Sequence, residues 1–403
     1  MNAIKQGYKQ TKVGIIPEDW EVVKLGDICK FQQGVQVDLE LQKNYPIDGY
    51  VKFLRIENYT QNSNDFRYIP INLSQNKTIA ENEIAIVRYG ATAGYIARGY
   101  NGVLANNLFK LIPNLKFIKN EFLYFCLTSQ KVFNFFQSEM AGGAMPALSF
   151  GIVEVLKLYL PPLKQQEKIA EILTTWDEAI SLHVKLIEEK EQLKIGLMQK
   201  LLSGEVRFSG FCDEWKKVKL GDICNITTGT SKSQFIGEGD YYVIDMGSVS
   251  STGNLIASKK TALQKDLLQK GDLIMPKDDI GGGQIIGKVA LIEEDNKYIL
   301  GDHVFKIVTK QNSRFLLYKI NSFEVNNNLK RKVTGSAQLG LNKKNVEDLQ
   351  IYLPSLPEQQ RIAEVLSFAD DALNLLKKEL EELKQQKKGL MQKLLTGEVR
   401  VNV

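Results

Sequence analysis

The chain repeats itself, and that constrains its fold more than any other feature of the sequence. GLMQKLLSGEVR begins at Gly196 and GLMQKLLTGEVR at Gly389, 193 positions later, with a single Ser-to-Thr change. LPPLKQQEKIAEIL from Leu160 answers LPSLPEQQRIAEVL from Leu353, and EDWEVVKLGDIC from Glu18 answers CDEWKKVKLGDIC from Cys212. A tandem duplication of this length demands two copies of one architecture. The segments between the shared words match only in outline, as NNLFKLIPN does with DHVFKIVTK. Scaffold is repeated closely while something inside each repeat has diverged.

The shared words carry helical periodicity. From Ile362 through Leu366, Ala369, Leu373, Leu376, Leu380, Leu383, Lys387 and Leu390 to Leu394, the spacing alternates four and three, which predicts a long helix with a coiled-coil seam. Ile169, Leu173, Trp176, Ile180, His183, Ile187, Leu197 and Leu201 repeat the pattern in the first copy. Each helix should start after prolines, Pro161-Pro162 and Pro354 with Pro357, and stop at Ser203-Gly204 and Thr396-Gly397. At about 1.5 Å per residue such helices reach roughly 60 Å. The diverged segments read instead as short strands, for example NEIAIVRYG, GYIARG, YYVIDMG and DLIMPK, cut by Gly, Asn and Asp. NEFLYFCLTSQKVFNFFQ from Asn120 and SRFLLYKINSFEVNNNL from Ser313 each have helical length.

The expected fold class is therefore α+β: two similar mixed domains separated by two long antiparallel coiled-coil helices, in an internal pseudo-twofold repeat. The expected boundaries are 1–159 for the first domain, 160–205 for the first spacer helix, 206–352 for the second domain and 353–403 for the second spacer helix. If each domain's entry and exit lie close together, the second helix must run back along the first.

Composition excludes several function classes. No apolar run approaches the roughly 20 residues that span a bilayer, and the N-terminal MNAIKQGYKQTK has no apolar signal core, so a cytoplasmic location with no membrane partner is expected. The four cysteines form no CxxC pair, and two histidines do not complete a zinc set. GGQIIGK, ending at Lys288, has phosphate-loop spacing, but Val289 stands where Ser or Thr would bind Mg²⁺ and no helix-forming run follows; a glycine-rich strand connection is the expectation. No Asn-Pro-Pro-Tyr or Asp-Pro-Pro-Tyr word for adenine methylation is present. Positive charge concentrates in the diverged segments: residues 1–160 carry 17 Lys and Arg against 14 Asp and Glu, and residues 206–353 carry 21 against 17. That modest excess favours nucleic acid as the partner. Two readers in opposite orientations suit a duplex, which has local twofold symmetry of its own, and a duplicated chain lets them diverge and read a site that is not palindromic.

EDWEVVKLGDIC, a variable region closing with LKLYLPPLKQQEKIAEIL, then GLMQKLLSGEVRF and the whole pattern again, resembles the specificity subunit of type I restriction-modification systems over essentially the full chain. The resemblance implies two target recognition domains, each reading half of a split site in double-stranded DNA, and helices that set the gap. It implies two methyltransferase subunits and restriction/translocase subunits as partners. It also implies a non-catalytic chain without cofactors, with S-adenosylmethionine, ATP and Mg belonging to the partner subunits. The specificity subunit of a related multisubunit type II system would read the same way, and a coiled-coil assembly scaffold without DNA reading is the alternative from another class.

Donors and acceptors on loops are the candidate readers of base edges. In the first domain these are Gln36, Arg55, Asn58, Arg88, Tyr89, Thr92 and Asn107; in the second, Lys232, Ser233, Asp245, Ser248, Lys277, Asp278, Gln284 and His303. Lys330, Arg331, Lys332, Lys343 and Lys344 read as charges facing phosphate or partner. No catalytic or metal-binding residue is expected.

Overall fold

The structure, a computed structural model, describes residues 6–61, 63–74, 76–140, 146–280, 282–333 and 339–403. The chain divides into two compact units, residues 1–184 with 379–403 and residues 185–378. Each unit holds one α+β domain and parts of both long helices, Leu163–Ser203 and Leu356–Thr396.

In the first unit, Cys29–Gln33, Leu108–Pro113, Ala85–Val87 and Ile96–Ala97 form an antiparallel sheet in that spatial order. In the second, Cys224–Thr228, Val304–Thr309, Leu273–Pro276 and Ala290–Leu291 repeat it strand for strand. A second sheet in each domain contains a parallel pair, Tyr50–Leu54 beside Gly102–Leu104 in one and Tyr241–Ile244 beside Tyr298–Leu300 in the other. β-Branched and aromatic residues make these strands because they suit a buried, pleated surface; Ala85–Val87, Gly102–Leu104 and Leu273–Pro276 are buried throughout. Phe53, Leu54, Val87, Val103 and Leu108 close one such core, and Ile244, Ile274, Leu300 and Val304 its counterpart.

The runs at Asn120 and Ser313 are each two helices, not one: Asn120–Leu127 then Gln130–Met140, and Ser313–Asn321 then Phe323–Lys330. The break falls at a serine in both. Ser129 Oγ donates to Cys126 O and Ser322 Oγ donates to Lys319 O, so each hydroxyl ties up the last turn of the preceding helix.

The shared words turn out to be fastenings. Glu21–Lys24 pairs antiparallel with Lys157–Leu160, and Lys216–Lys219 with Gln350–Leu353, which brings the entry and exit of each domain side by side. The first residue of the QQ or EQ word holds the tryptophan: Trp20 Nε1 donates to Gln165 Oε1 at 2.9 Å, and Trp215 Nε1 to Glu358 Oε2 at 3.2 Å. The same groups catch the arginine that follows the opposite helix. Arg207 grips Glu358 through two bonds of 2.8 Å, while Arg400 grips Asp19 at 2.7 Å and reaches Gln165. The second glutamine is fully buried in both copies. Gln166 Oε1 accepts from Lys119 N and its Nε2 donates to Phe117 O and Pro161 O; Gln359 accepts from Asn312 N and donates to Gln311 Oε1 and Pro354 O.

The heptad positions predicted for the second helix are all buried or half-buried. In the first unit Ile169 and Leu173, near the start of the first helix, share a core with Leu394 and Leu395 near the end of the second. In the second unit Leu201 and Leu202 share one with Ile362 and Leu366. The two helices thus run antiparallel within each unit. Lys387 takes a seam position by pairing with Asp177 at 2.5 Å, and His183 faces Glu379 at 3.7 Å. Among the described residues no helix is long and apolar enough to cross a membrane.

Lys319 is 3% exposed, donates to Leu202 O at 2.6 Å and lies over the Trp215 ring. It thereby caps the carboxyl end of the first long helix, where a cation is favoured. Burial nonetheless pushes its pKa down from the ordinary lysine value. The unfolded chain then binds more protons between the folded and unfolded pKa values, so this group's penalty is full below the folded pKa and fades as pH rises. The stability of Lys319→Met relative to wild type is therefore expected to fall as pH is raised from 7 toward 10, measured by urea unfolding across that range. A difference that is flat or rises with pH would contradict this.

Candidate nucleic-acid interface

Both domains build the same edge from backbone. The parallel pair ends at Leu54 and Leu104 in the first domain, where Ala105 N donates to Leu54 O; it ends at Ile244 and Leu300 in the second, where Gly301 N donates to Ile244 O. Next to it, Arg88 N donates to Asn107 O and Lys277 N to His303 O, each at 2.8 Å. Leu148 N then closes on Arg88 O as Leu341 N closes on Lys277 O. One frame thus presents Arg88, Tyr89 and Asn107 in the first domain and Lys277, Asp278 and His303 in the second.

The side chains on that frame differ in chemistry. In the first domain the Arg88 guanidinium lies 4.9 Å from the Tyr89 ring and 5.4 Å from Phe150, and Tyr89 is exposed. Arg88 Nε and Asn107 Oδ1 lack partners within the protein. Gln36 is exposed and accepts from Asn106 Nδ2, and Gln33 Nε2 donates to Asn106 O at 3.0 Å. In the second domain His303 Nδ1 donates to Asp278 Oδ2 at 2.6 Å, and its Nε2 lies 3.8 Å from Asp302. Half of the His303 side chain is exposed, and its φ of 59° is a left-handed conformation uncommon outside glycine. Since a carboxylate only accepts, the Asp278 bond places a proton on Nδ1 and leaves Nε2 on the side of Asp302. Asp245, at the end of the parallel pair, is ion-paired with Lys259 and caps the following turn through Gly247 N.

Other sequence candidates are spent on the fold. Asn58 is fully buried: it accepts from Arg55 N and donates to Ser63 O and Asp65 O. Ser248 does the same work in the second copy, accepting from Asp245 N at 3.0 Å. Lys232 is 3% exposed and bonded to Thr230 and Asp266, a tie between loops rather than a solvent-facing cation. Arg55 pairs with Glu57 and Asp65. Asn58, Ser248 and Lys232 are thus buried and bonded within the fold, a correction to the reading from sequence, whereas Arg55 stays partly exposed; a short polar residue before a loop, as Asn58 and Ser248 are, often satisfies buried backbone. Thr92, Ser233 and Gln284 are exposed; Thr92 lies three residues beyond Tyr89, and Ser233 Oγ meets Ser231 Oγ.

Asn106 and Asp302 were missed, although aligning ANN with GDH places them opposite each other. The glycine-rich stretch before Lys288 is a connection into strand Ala290–Leu291, and Asp279 Oδ2 accepts from Ile285 N at 2.8 Å. A carboxylate facing the loop amides opposes phosphate there. Burial raises the thiol pKa of Cys29, to about 12, and of Cys224, to about 11, which keeps them protonated core groups.

Comparison with known proteins agrees with this duplicated frame. The family described as type I restriction modification DNA specificity domain matches residues 17–192 and again 212–385. The specificity subunit of type I restriction enzyme MjaVIII from Methanocaldococcus jannaschii is 28% identical, over 98% of this chain and 97% of that one. That of EcoKI from Escherichia coli is 20% identical over 96% and 90%. Among solved structures, the type I S subunit from M. genitalium superposes with a TM-score of 0.59 at 16% identity, covering 93% of this chain and 96% of that one. A chain solved in work on complex assembly of the type I restriction-modification system gives 0.62 at 18% identity, covering 95% and 99%. With one specificity domain matched twice on two copies of one fold, the chain belongs to the family of type I restriction-modification specificity subunits and carries two target recognition domains.

Proposed function

We propose that this chain reads a split, asymmetric site in double-stranded DNA, one half with each domain's edge, and performs no chemistry itself. The observation that carries the reading is the pair of equivalent backbone frames, Arg88–Asn107 and Lys277–His303, bearing different side chains. A fixed frame sets the approach to a groove, and exchangeable side chains set which bases are accepted. The first edge is rich in donors, Arg88 among them, which suit guanine O6 and N7. The second adds the carboxylates Asp278 and Asp302, acceptors that suit cytosine or adenine amino groups, beside Lys277 and His303. Different halves are the natural consequence.

The long helices are the proposed seats of two methyltransferase subunits and of the restriction/translocase subunits. Phe368 is 77% and Leu375 57% exposed in the second unit, and Leu182 66% in the first, on helices whose seam residues are already buried. Large apolar groups left outside a filled seam suit partner helices. S-adenosylmethionine, ATP and Mg would then serve the partners, and the complex would work in the cytoplasm.

The test is duplex binding as a function of salt, with and without a methyltransferase partner. The purified chain alone is expected to incorporate no methyl groups, and the partner to restore transfer with two copies bound per chain. The complex should show a steep negative slope of affinity against salt and a specific-over-nonspecific ratio of about 10³ or more. Methyl transfer by the chain alone, or equal affinity for all sequences, would overturn the proposal. An assembly scaffold would bind partners with no salt-dependent duplex affinity.

A further inference from the structure

The first domain contains a cavity walled by tyrosines. Tyr59, Tyr95, Tyr100, Tyr124, Arg98 and Asn58 line a space of 230 Å³. Tyr59 and Tyr100 touch with ring centroids 5.4 Å apart and planes tilted by 60°, and the Arg98 guanidinium lies 3.6 Å above the Tyr124 ring while paired with Glu121. Tyr59 is 5% exposed, yet its hydroxyl has no hydrogen-bond partner within the protein. A buried phenol without a partner is unusual, because its desolvation goes uncompensated.

The walls select the ligand chemistry. The space is below the roughly 300 Å³ at which drug-sized sites begin, so it suits one small ring system. Aromatic cages take cations through ring faces, but here a guanidinium already occupies the Tyr124 face and repels a second positive charge. A neutral planar ring with lone pairs fits instead: it stacks on tyrosines and accepts from the Tyr59 hydroxyl. Such side chains receive unstacked nucleobases in single-stranded recognition. Following the strand register into the second domain, Val249 replaces Tyr59, Leu317 replaces Tyr124 and Glu293 replaces Tyr100, so the aromatic walls belong to one domain only. In sequence, two walls stand next to the reading edge, Tyr59 four residues beyond Arg55 and Tyr95 three beyond Thr92.

We infer that the Tyr59–Tyr100–Tyr124 cavity binds a single unpaired nucleobase. Only the source of that base rests on the DNA-reading proposal. The test uses 2-aminopurine fluorescence with the full-length chain and three probes: the free 2-aminopurine deoxyriboside, a duplex with one unpaired 2-aminopurine, and the same duplex fully paired. Quenching of an unpaired probe is expected, with the bulged duplex bound at least about fivefold more tightly than the paired one. Tyr59→Phe should weaken that binding about three- to tenfold, and Tyr95→Ala about fivefold or more. Both should leave paired-duplex affinity unchanged. Tyr95 is 46% exposed, so its alanine variant should keep the fold. Quenching of the free nucleoside would assign a free ligand; quenching confined to the bulged duplex would assign an extrahelical base. If paired DNA does not bind even with the methyltransferase partner added, the reading proposal fails while the nucleoside arm still decides the cavity. No quenching of either unpaired probe, or quenching that both substitutions leave unchanged, would overturn the inference.

Discussion

Replacing Gln359 with alanine is expected to destabilise the second unit by about 3–5 kcal/mol, since a buried polar group left without its partner costs about 1–3 kcal/mol and this side chain serves three. The amide is fully buried between the start of the second long helix and the loop ahead of Ser313, so truncation strands Asn312 N and Pro354 O together. For a unit of this size the loss corresponds to roughly 10 °C in Tm. Gln359→Glu keeps the shape but sets a carboxylate against two acceptors, Gln311 Oε1 and Pro354 O, and should be at least as harmful at neutral pH. That carboxyl would hold its proton above the ordinary glutamate range in the folded state. Its deficit should therefore grow as pH rises through that range and shrink below it. Gln360→Ala, one residue on and exposed, should change stability by less than about 0.5 kcal/mol. Chemical unfolding of the three variants, with Gln166→Ala as the equivalent in the first unit, measures this. Equal effects at positions 359 and 360 would refute the fastening role.

Exchange of residues 30–156 for the matching segment of another family member is expected to replace one half of the methylated site and leave the other intact. Preference for the old half should fall by about 10³ or more, since each mismatched base pair costs about 1–3 kcal/mol and several change together. The boundary at 156 leaves Lys157–Leu160 in place, which pairs with Glu21–Lys24 and carries Tyr159, whose hydroxyl donates to Val13 O at 2.5 Å. The fastenings thus stay native while Arg88, Tyr89 and Asn107 are exchanged. Methylome sequencing of cells carrying the chimera and its partners reads the outcome. If both halves change together, the two edges do not read independently.

Two duplicated domains and two heptad helices were legible in the sequence because both depend on local pattern. Ile362 to Leu394 recur at helical spacing whatever the surrounding fold, and a repeat of 193 positions is visible without coordinates. The break inside NEFLYFCLTSQKVFNFFQ was not legible, since a serine there can back-bond inside one continuous helix or, as Ser129 does by accepting from Val132 N, open a new one. At the candidate site the sequence indicated residue types and loops. Arg88, Tyr89, Asn107, Lys277, Asp278 and His303 lie on the common frame, while Asn58, Lys232 and Ser248 point inward. Orientation was the missing quantity. Whether a polar side chain faces solvent or satisfies buried backbone depends on partners distant in sequence, as Asp266 is from Lys232. The repeated words show the same division. Their recurrence was plain in the sequence, but that Gln166 and Gln359 fasten helix to domain was decided by tertiary structure alone, because a buried amide takes its meaning from the carbonyls and amides packed around it.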